Sequence, residues 1–199
     1  GISSTINNAF VCKEEMQEKY PDAEICVFDS ICASGGHGLL IYHAIENKKK
    51  GMSVTENMQA LEELKHRIVH KFTVDDLTYL QRGGRISKTA AVIGGMIQLK
   101  PVLHVDTEGR LAAESKVRGR KKALNQLLTE MDTCTGSYAD KQDVVLICHA
   151  DCPEDAEYVR AKVEEKYHPN KIIMSEVGPI IGAHVGPGTM VLIFEGDKR

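Results

Sequence analysis

The sequence predicts an α/β fold in two lobes: the remainder of an N-terminal lobe on a parallel sheet, then a C-terminal lobe on a mixed or antiparallel sheet. Three observations lead there. Short continuous apolar runs such as Val144-Val145-Leu146-Ile147 alternate with segments whose apolar residues recur every three or four positions. The early runs are separated by helical patterns, as βα units require. Later, Lys100 to Asp106 and Arg110 to Arg118 flank Thr107-Glu108-Gly109, the pattern of a β-hairpin. We divide the chain into residues 1–71 and 72–199.

Residues 6–20 read as a helix, and Ile25-Cys26-Val27-Phe28 as a short buried strand. A loop from Asp29 to Gly38 leads into a helix beginning near Leu39, which Gly51 ends. Ser53 and Glu56 are spaced as a capping box, opening a helix with Met58, Leu61, Leu64 and Ile68 on one face. Phe72-Thr73-Val74 reads as a short strand. Asp76 then opens a brief helix through Leu80 that Gly83-Gly84 stops. Ser87 is placed to cap a small-residue helix from Thr89 to Ile97.

Beyond the hairpin, Leu124, Leu127, Leu128 and Met131 form one apolar stripe. Residues 143–149 contain a buried strand, and Pro153 suits the first turn of a helix that turns Ala156, Val159, Val163 and Tyr167 to the core. Lys171 to Val177 and Met190 to Phe194 are two further strands, joined by a loop rich in Gly and Pro.

Bulk properties narrow the function. The 199 residues are 42% apolar and carry a net charge of −3, with a pI near 6.3. Nucleic-acid and membrane-surface binders carry a positive excess that this chain lacks. No apolar stretch reaches membrane-spanning length, and the opening residues do not read as a signal peptide. Six cysteines without a C-x-x-C pair fit free thiols in a cytoplasmic protein, with Cys26 and Cys148 inside apolar runs as small hydrophobes.

Four segments carry candidate chemistry. Ser3-Ser4-Thr5 precedes a helix, where hydroxyls either cap free N–H groups or hold an anion such as a carboxylate. Ser34-Gly35-Gly36-His37-Gly38 lacks the lysine and the spacing of a phosphate loop, so close helix packing accounts for its glycines. Arg82-Gly83-Gly84-Arg85 places two guanidinium groups about a chain reversal, for solvent or for an anionic partner. Gly182-Ala183-His184-Val185-Gly186-Pro187-Gly188 sets a histidine in a loop that lets backbone approach closely. His37, His104, His149 and His184 show no ligand spacing, so no metal site is expected.

The order of these segments resembles the DegV family, which includes the fatty-acid-binding subunits of bacterial fatty acid kinase. The family's S-G-T element stands as Ser3-Ser4-Thr5, and its D-S-x-x-x-S-x-G-x-G loop as Asp29-Ser30 through Ser34, Gly36 and Gly38. Its long signature is present as Asp75-Asp76-Leu77, Tyr79-Leu80 and Arg82 to Ser87. Lys100-Pro101-Val102-Leu103, Lys116-Val117-Arg118-Gly119 and His184-Val185-Gly186-Pro187-Gly188 also fit. The resemblance implies two α/β lobes around a buried acyl chain, and a protein that binds a long-chain fatty acid without catalysis or cofactor. Ser3, Thr5 and His184 are the implied carboxylate ligands. Arg82, Arg85 and Arg118 match basic positions where a fatty acid kinase catalytic subunit would dock.

Two departures stand out: Ser4 replaces the family's glycine, and Ile6 its usual tyrosine. The family also carries a further stretch before Ser3, with a T-S-Q-P-like segment that supplies another hydroxyl. The chain is therefore expected to be the greater part of one DegV domain. Two alternatives stay open: a phosphotransferase or hydrolase using Ser3 and His184, and a ligand-free interaction module. The first lacks a P-loop, a G-x-S-x-G elbow and an acidic metal cluster.

Overall fold

The apolar runs from residue 68 onward collect into a single six-stranded sheet. In the computed structural model, which describes residues 1–87 and 99–199, the strands are β1 (Ile68–Thr73), β2 (Leu99–Val105), β3 (Leu111–Arg118), β4 (Val144–Ala150), β5 (Lys171–Glu176) and β6 (Thr189–Glu195). Their order is β3-β2-β1-β6-β4-β5. All neighbours run antiparallel except β4 and β5, so the sheet is mixed.

Seven α-helices are described: α1 (Thr5–Lys19), α2 (Gly35–Lys49), α3 (Val54–Leu64), α4 (Leu77–Arg82), α5 (Arg120–Thr135), α6 (Pro153–Tyr167) and α7 (Pro179–Val185). They give the sheet two apolar faces. On one, Leu39 and Leu40 of α2 and Leu61 and Leu64 of α3 pack with Ile68, Phe72, Leu103, Leu146 and Ile193. On the other, Leu124, Leu127 and Met131 of α5 and Val159 and Val163 of α6 pack with Val69, Ile147, Leu192 and Phe194. Alternate residues of β1 and β6 thus enter opposite cores, as the period of a strand demands.

Local signals explain the helix ends. Ser53 Oγ accepts from the Glu56 amide while the Glu56 carboxylate accepts from the Ser53 amide, completing the expected box. Asp76 opens α4 by accepting from the Thr78 amide at 2.8 Å, and these bonds hold its carboxyl below the usual range. Pro153 starts α6, where its missing N–H costs nothing.

Several expectations are corrected. Ile25 to Phe28 is not a strand: it makes no backbone–backbone hydrogen bond among the described residues, and Cys26 is exposed rather than buried. Pairing, not apolar content, makes a strand, so the parallel sheet expected in residues 1–71 is absent from the described residues. Helix α2 begins at Gly35, inside the glycine motif, four residues before Leu39. Ile68 belongs to β1 rather than to α3, and β1 is bonded on both edges. The loop between the last two strands contains α7. The helix expected from Thr89 to Ile97 lies outside the described residues.

Candidate functional site

Two motifs separated by a hundred residues pack directly on each other. Three glycines make the contact possible. A Cβ at Gly83 would collide with His184 Nδ1; one at Gly186 would meet the Tyr79 ring, and one at Gly188 the Asp75 carboxylate. Helix α4, from the long signature, therefore lies against α7 and the loop after it. His184 is half-buried in the last turn of α7, above the Arg82 to Arg85 turn.

Arg82 is exposed at the end of α4, and half-buried Arg85 donates to the Gly83 carbonyl. Arg118 is exposed at the end of β3, opposite Leu99. Ser3 and Thr5 lie elsewhere on the backbone path, at the start of α1. Ser3 Oγ donates to Thr5 Oγ1 at 2.9 Å and accepts from the Thr5 amide at 3.2 Å, so Ser3 rather than Ser4 satisfies that free N–H. Gly1 beside them packs on Glu108 and Gly109 of the hairpin turn. No hydrogen bond joins this hydroxyl pair to His184 among the described residues.

Two cavities adjoin the packed motifs, and they differ in chemistry. The larger, about 520 Å³, is an open polar cleft lined by Asp75, Lys100, Arg120, Cys152 and Asp155 among others. Ion pairs cross it: Lys100 to Asp75 at 2.8 Å, Arg120 to Asp75 at 3.3 Å and Arg120 to Asp155 at 2.7 Å. The smaller, about 160 Å³, is an apolar slot lined by Leu77, Ile86, Pro101, Leu103, Leu111 and Ala113, with Ser87 and Lys116 at its polar end. Methylene groups gain free energy only where they leave water for apolar surface, and of the two cavities the smaller offers that surface.

The slot is built from signature residues, yet sequence reasoning had not assigned Leu77, Ile86, Leu103 or Leu111 to a site. The alternation of Pro101 with Leu103 on β2 and of Leu111 with Ala113 on β3 is the one signal that pointed there. Of the cleft, Asp75 and Lys100 stood in the quoted motifs, whereas Arg120, Cys152 and Asp155 gave no signal, since they lie far apart in sequence and meet only in the fold.

Comparison with known proteins gives a consistent picture. The family profile described as "Uncharacterised protein, DegV family" matches residues 1–197. A DegV domain-containing protein of Clostridium perfringens is 41% identical over 198 residues, covering all of this chain and 67% of that protein. The crystal structure of DegV from Bacillus subtilis, described as a fatty acid binding protein, is 30% identical with a TM-score of 0.81, covering 98% of this chain and 67% of that one. The Streptococcus pneumoniae fatty acid kinase B3 protein, loaded with linoleic acid, shares the fold with a TM-score of 0.90 at 21% identity, covering 98% and 68%. The chain thus spans about two thirds of the length of these relatives.

Proposed function

The chain belongs to the DegV family, and from that premise we propose that it binds a long-chain fatty acid and presents it to a kinase partner. The observation that carries this reading is the apolar slot of Leu77, Ile86, Leu103 and Leu111, placed beside the packed signature and histidine loop; at about 160 Å³ the slot takes part of a long acyl chain. Each methylene buried there contributes about 0.8 kcal/mol. A carboxylate taken from water needs hydrogen-bond donors, and Ser3, Thr5 and His184 are the groups we assign to it.

The protein acts as a carrier and performs no chemistry on the acid. In support, the Ser3 hydroxyl is bonded to the Thr5 hydroxyl and amide, not to a histidine that would activate it as a nucleophile. Arg82, Arg85 and Arg118 form the docking positions for a fatty acid kinase catalytic subunit, whose phosphoryl chemistry must reach the bound carboxylate. No nucleic acid or cofactor enters this reading, and we place the protein in the bacterial cytoplasm. No described helix is long and apolar enough to cross a membrane.

Native mass spectrometry of the purified protein tests the proposal. A co-purified mass of a long-chain acid, or its uptake from a C16–C18 mixture, is the expected result. A protein that stays unliganded after incubation overturns it. Adding ATP and a kinase subunit then reads presentation separately, as formation of acyl phosphate.

A further inference from the structure

Lys71 is 1% exposed in the central strand β1. Its ammonium group donates to both Glu114 oxygens, at 2.8 and 2.7 Å, and lies 4.0 Å from Glu130 of α5. His104, the cross-strand partner of Lys71, has its Nδ1 at 3.7 Å from Glu114. An isolated charge at this depth would be strongly unfavourable, and Glu114 is its closest compensation.

Strand alternation puts Glu114, the neighbour of Ala113, on the Lys71 face, and β3 is bulged at this residue. The register passes from Leu103 opposite Ala113 to Val102 opposite Ser115, leaving Glu114 with no cross-strand partner. The extra residue changes the face of the strand. Before the bulge, Leu111 and Ala113 line the apolar slot. After it, Val117 packs into the opposite core, with Val102 and Leu127. A regular strand would put residues 111, 113 and 117 on one side.

We propose that the Lys71–Glu114 pair positions the β2–β3 hairpin, pinning the bulge and so setting the wall of the acyl slot on the hairpin's other face. The pair makes no contact with ligand and acts through Leu111 and Ala113. Its consequence for binding rests on the fatty-acid reading above; its consequence for the hairpin does not.

Three variants test it: Glu114→Gln, Lys71→Met, and the two combined. The readouts are amide hydrogen exchange across the sheet, melting temperature, and affinity for a fluorescent C18 fatty acid. In Glu114→Gln the hairpin amides should exchange about tenfold faster than in the wild type, well beyond any change in β4 and β6, and C18 affinity should fall about tenfold. The double variant removes the buried charge, so its melting temperature should recover while hairpin exchange stays fast and affinity stays low. Wild-type hairpin exchange and affinity in the double variant would overturn the proposal, as would equal acceleration at every amide in Glu114→Gln. Should the wild type itself take up no acid while hairpin exchange still rises in Glu114→Gln, the fatty-acid reading falls and the positioning role stands.

Discussion

The imidazole of His184 rests on the one face of Gly83 where any other residue would carry its side chain. Two motifs that sequence reasoning treated separately thereby become one structure, and the glycine has a reason that its own turn does not supply. Gly83 has φ of −71°, which every residue adopts, whereas Gly84 has φ of +71° with open space around it.

The neighbouring glycines therefore respond differently. Gly84→Ala should cost about 1–2 kcal/mol of stability through backbone strain and leave acyl affinity unchanged. Gly83→Ala should cost about 1–3 kcal/mol by overpacking and also weaken fatty-acid binding, because His184 must move. Melting temperature and affinity measured side by side check the pair. Unchanged affinity in Gly83→Ala would remove His184 from the carboxylate site.

Ser3 separates capping from ligand binding. As a cap alone, Ser3→Ala should cost about 1 kcal/mol of stability, restored by Ser3→Asp. As a carboxylate ligand, Ser3→Ala should lower affinity more than about tenfold, a charge-assisted bond being worth roughly 1.5–3 kcal/mol. Ser3→Asp should then bind worse still, since two carboxylates would face each other. Aspartate binding as well as serine would identify Ser3 as a cap.

Stability should fall in mild acid through His70. Its ring is 2% exposed against Gly36, close to the Ala33 and Ile68 carbonyls but without a hydrogen bond of good geometry. Burial, reinforced by Arg199, pushes its pKa down to about 3. The unfolded chain takes up this proton first, so the contribution is complete above about pH 6.5 and is lost as pH falls toward about 3. Between pH 7 and pH 5 the loss from this group should be about 2 kcal/mol, and His70→Gln should remove that part, leaving the smaller loss from His43 and His104, which burial also holds low. Carboxylates held low, such as Asp76 and Glu56, titrate in the same direction but at lower pH. Urea midpoints at the two pH values decide the matter; equal slopes in both proteins would contradict it.

The six cysteines should sort by burial. Cys12 and Cys26 are exposed and should react with a thiol reagent in the native state. Cys134 and Cys148 are buried and should react only on unfolding, while burial raises the Cys32 thiol to about 11 and slows it. Unfolding without reductant should release six thiols, and a smaller number would reveal a disulfide.

Much of this architecture was legible in advance. The capping box at Ser53 and Glu56, the stop at Gly83, the hairpin turn and the stripes of α5 and α6 depend on neighbours within a few residues. Ile25 to Phe28 misled because a strand is defined by its partner, and an apolar tetrapeptide says nothing about whether one lies beside it. Lys71 offered a faint signal, a charge in the middle of a core strand, but its partner Glu114 lies 43 residues away across a bulge.

The sequence by itself determined the family, the α/β class and the residue types available for a fatty acid. It did so because helix caps, turns and apolar periodicity are short-range, and because the signature around Arg82 is long. Only the tertiary structure decided which of those residues meet. It stacked His184 on Gly83, moved α7 into a presumed loop, and separated the apolar slot from the polar cleft. It also used one extra residue in β3 to send Val117 into the core opposite the slot that Leu111 lines. These outcomes depend on packing and strand register between distant segments, and local composition does not encode them one by one.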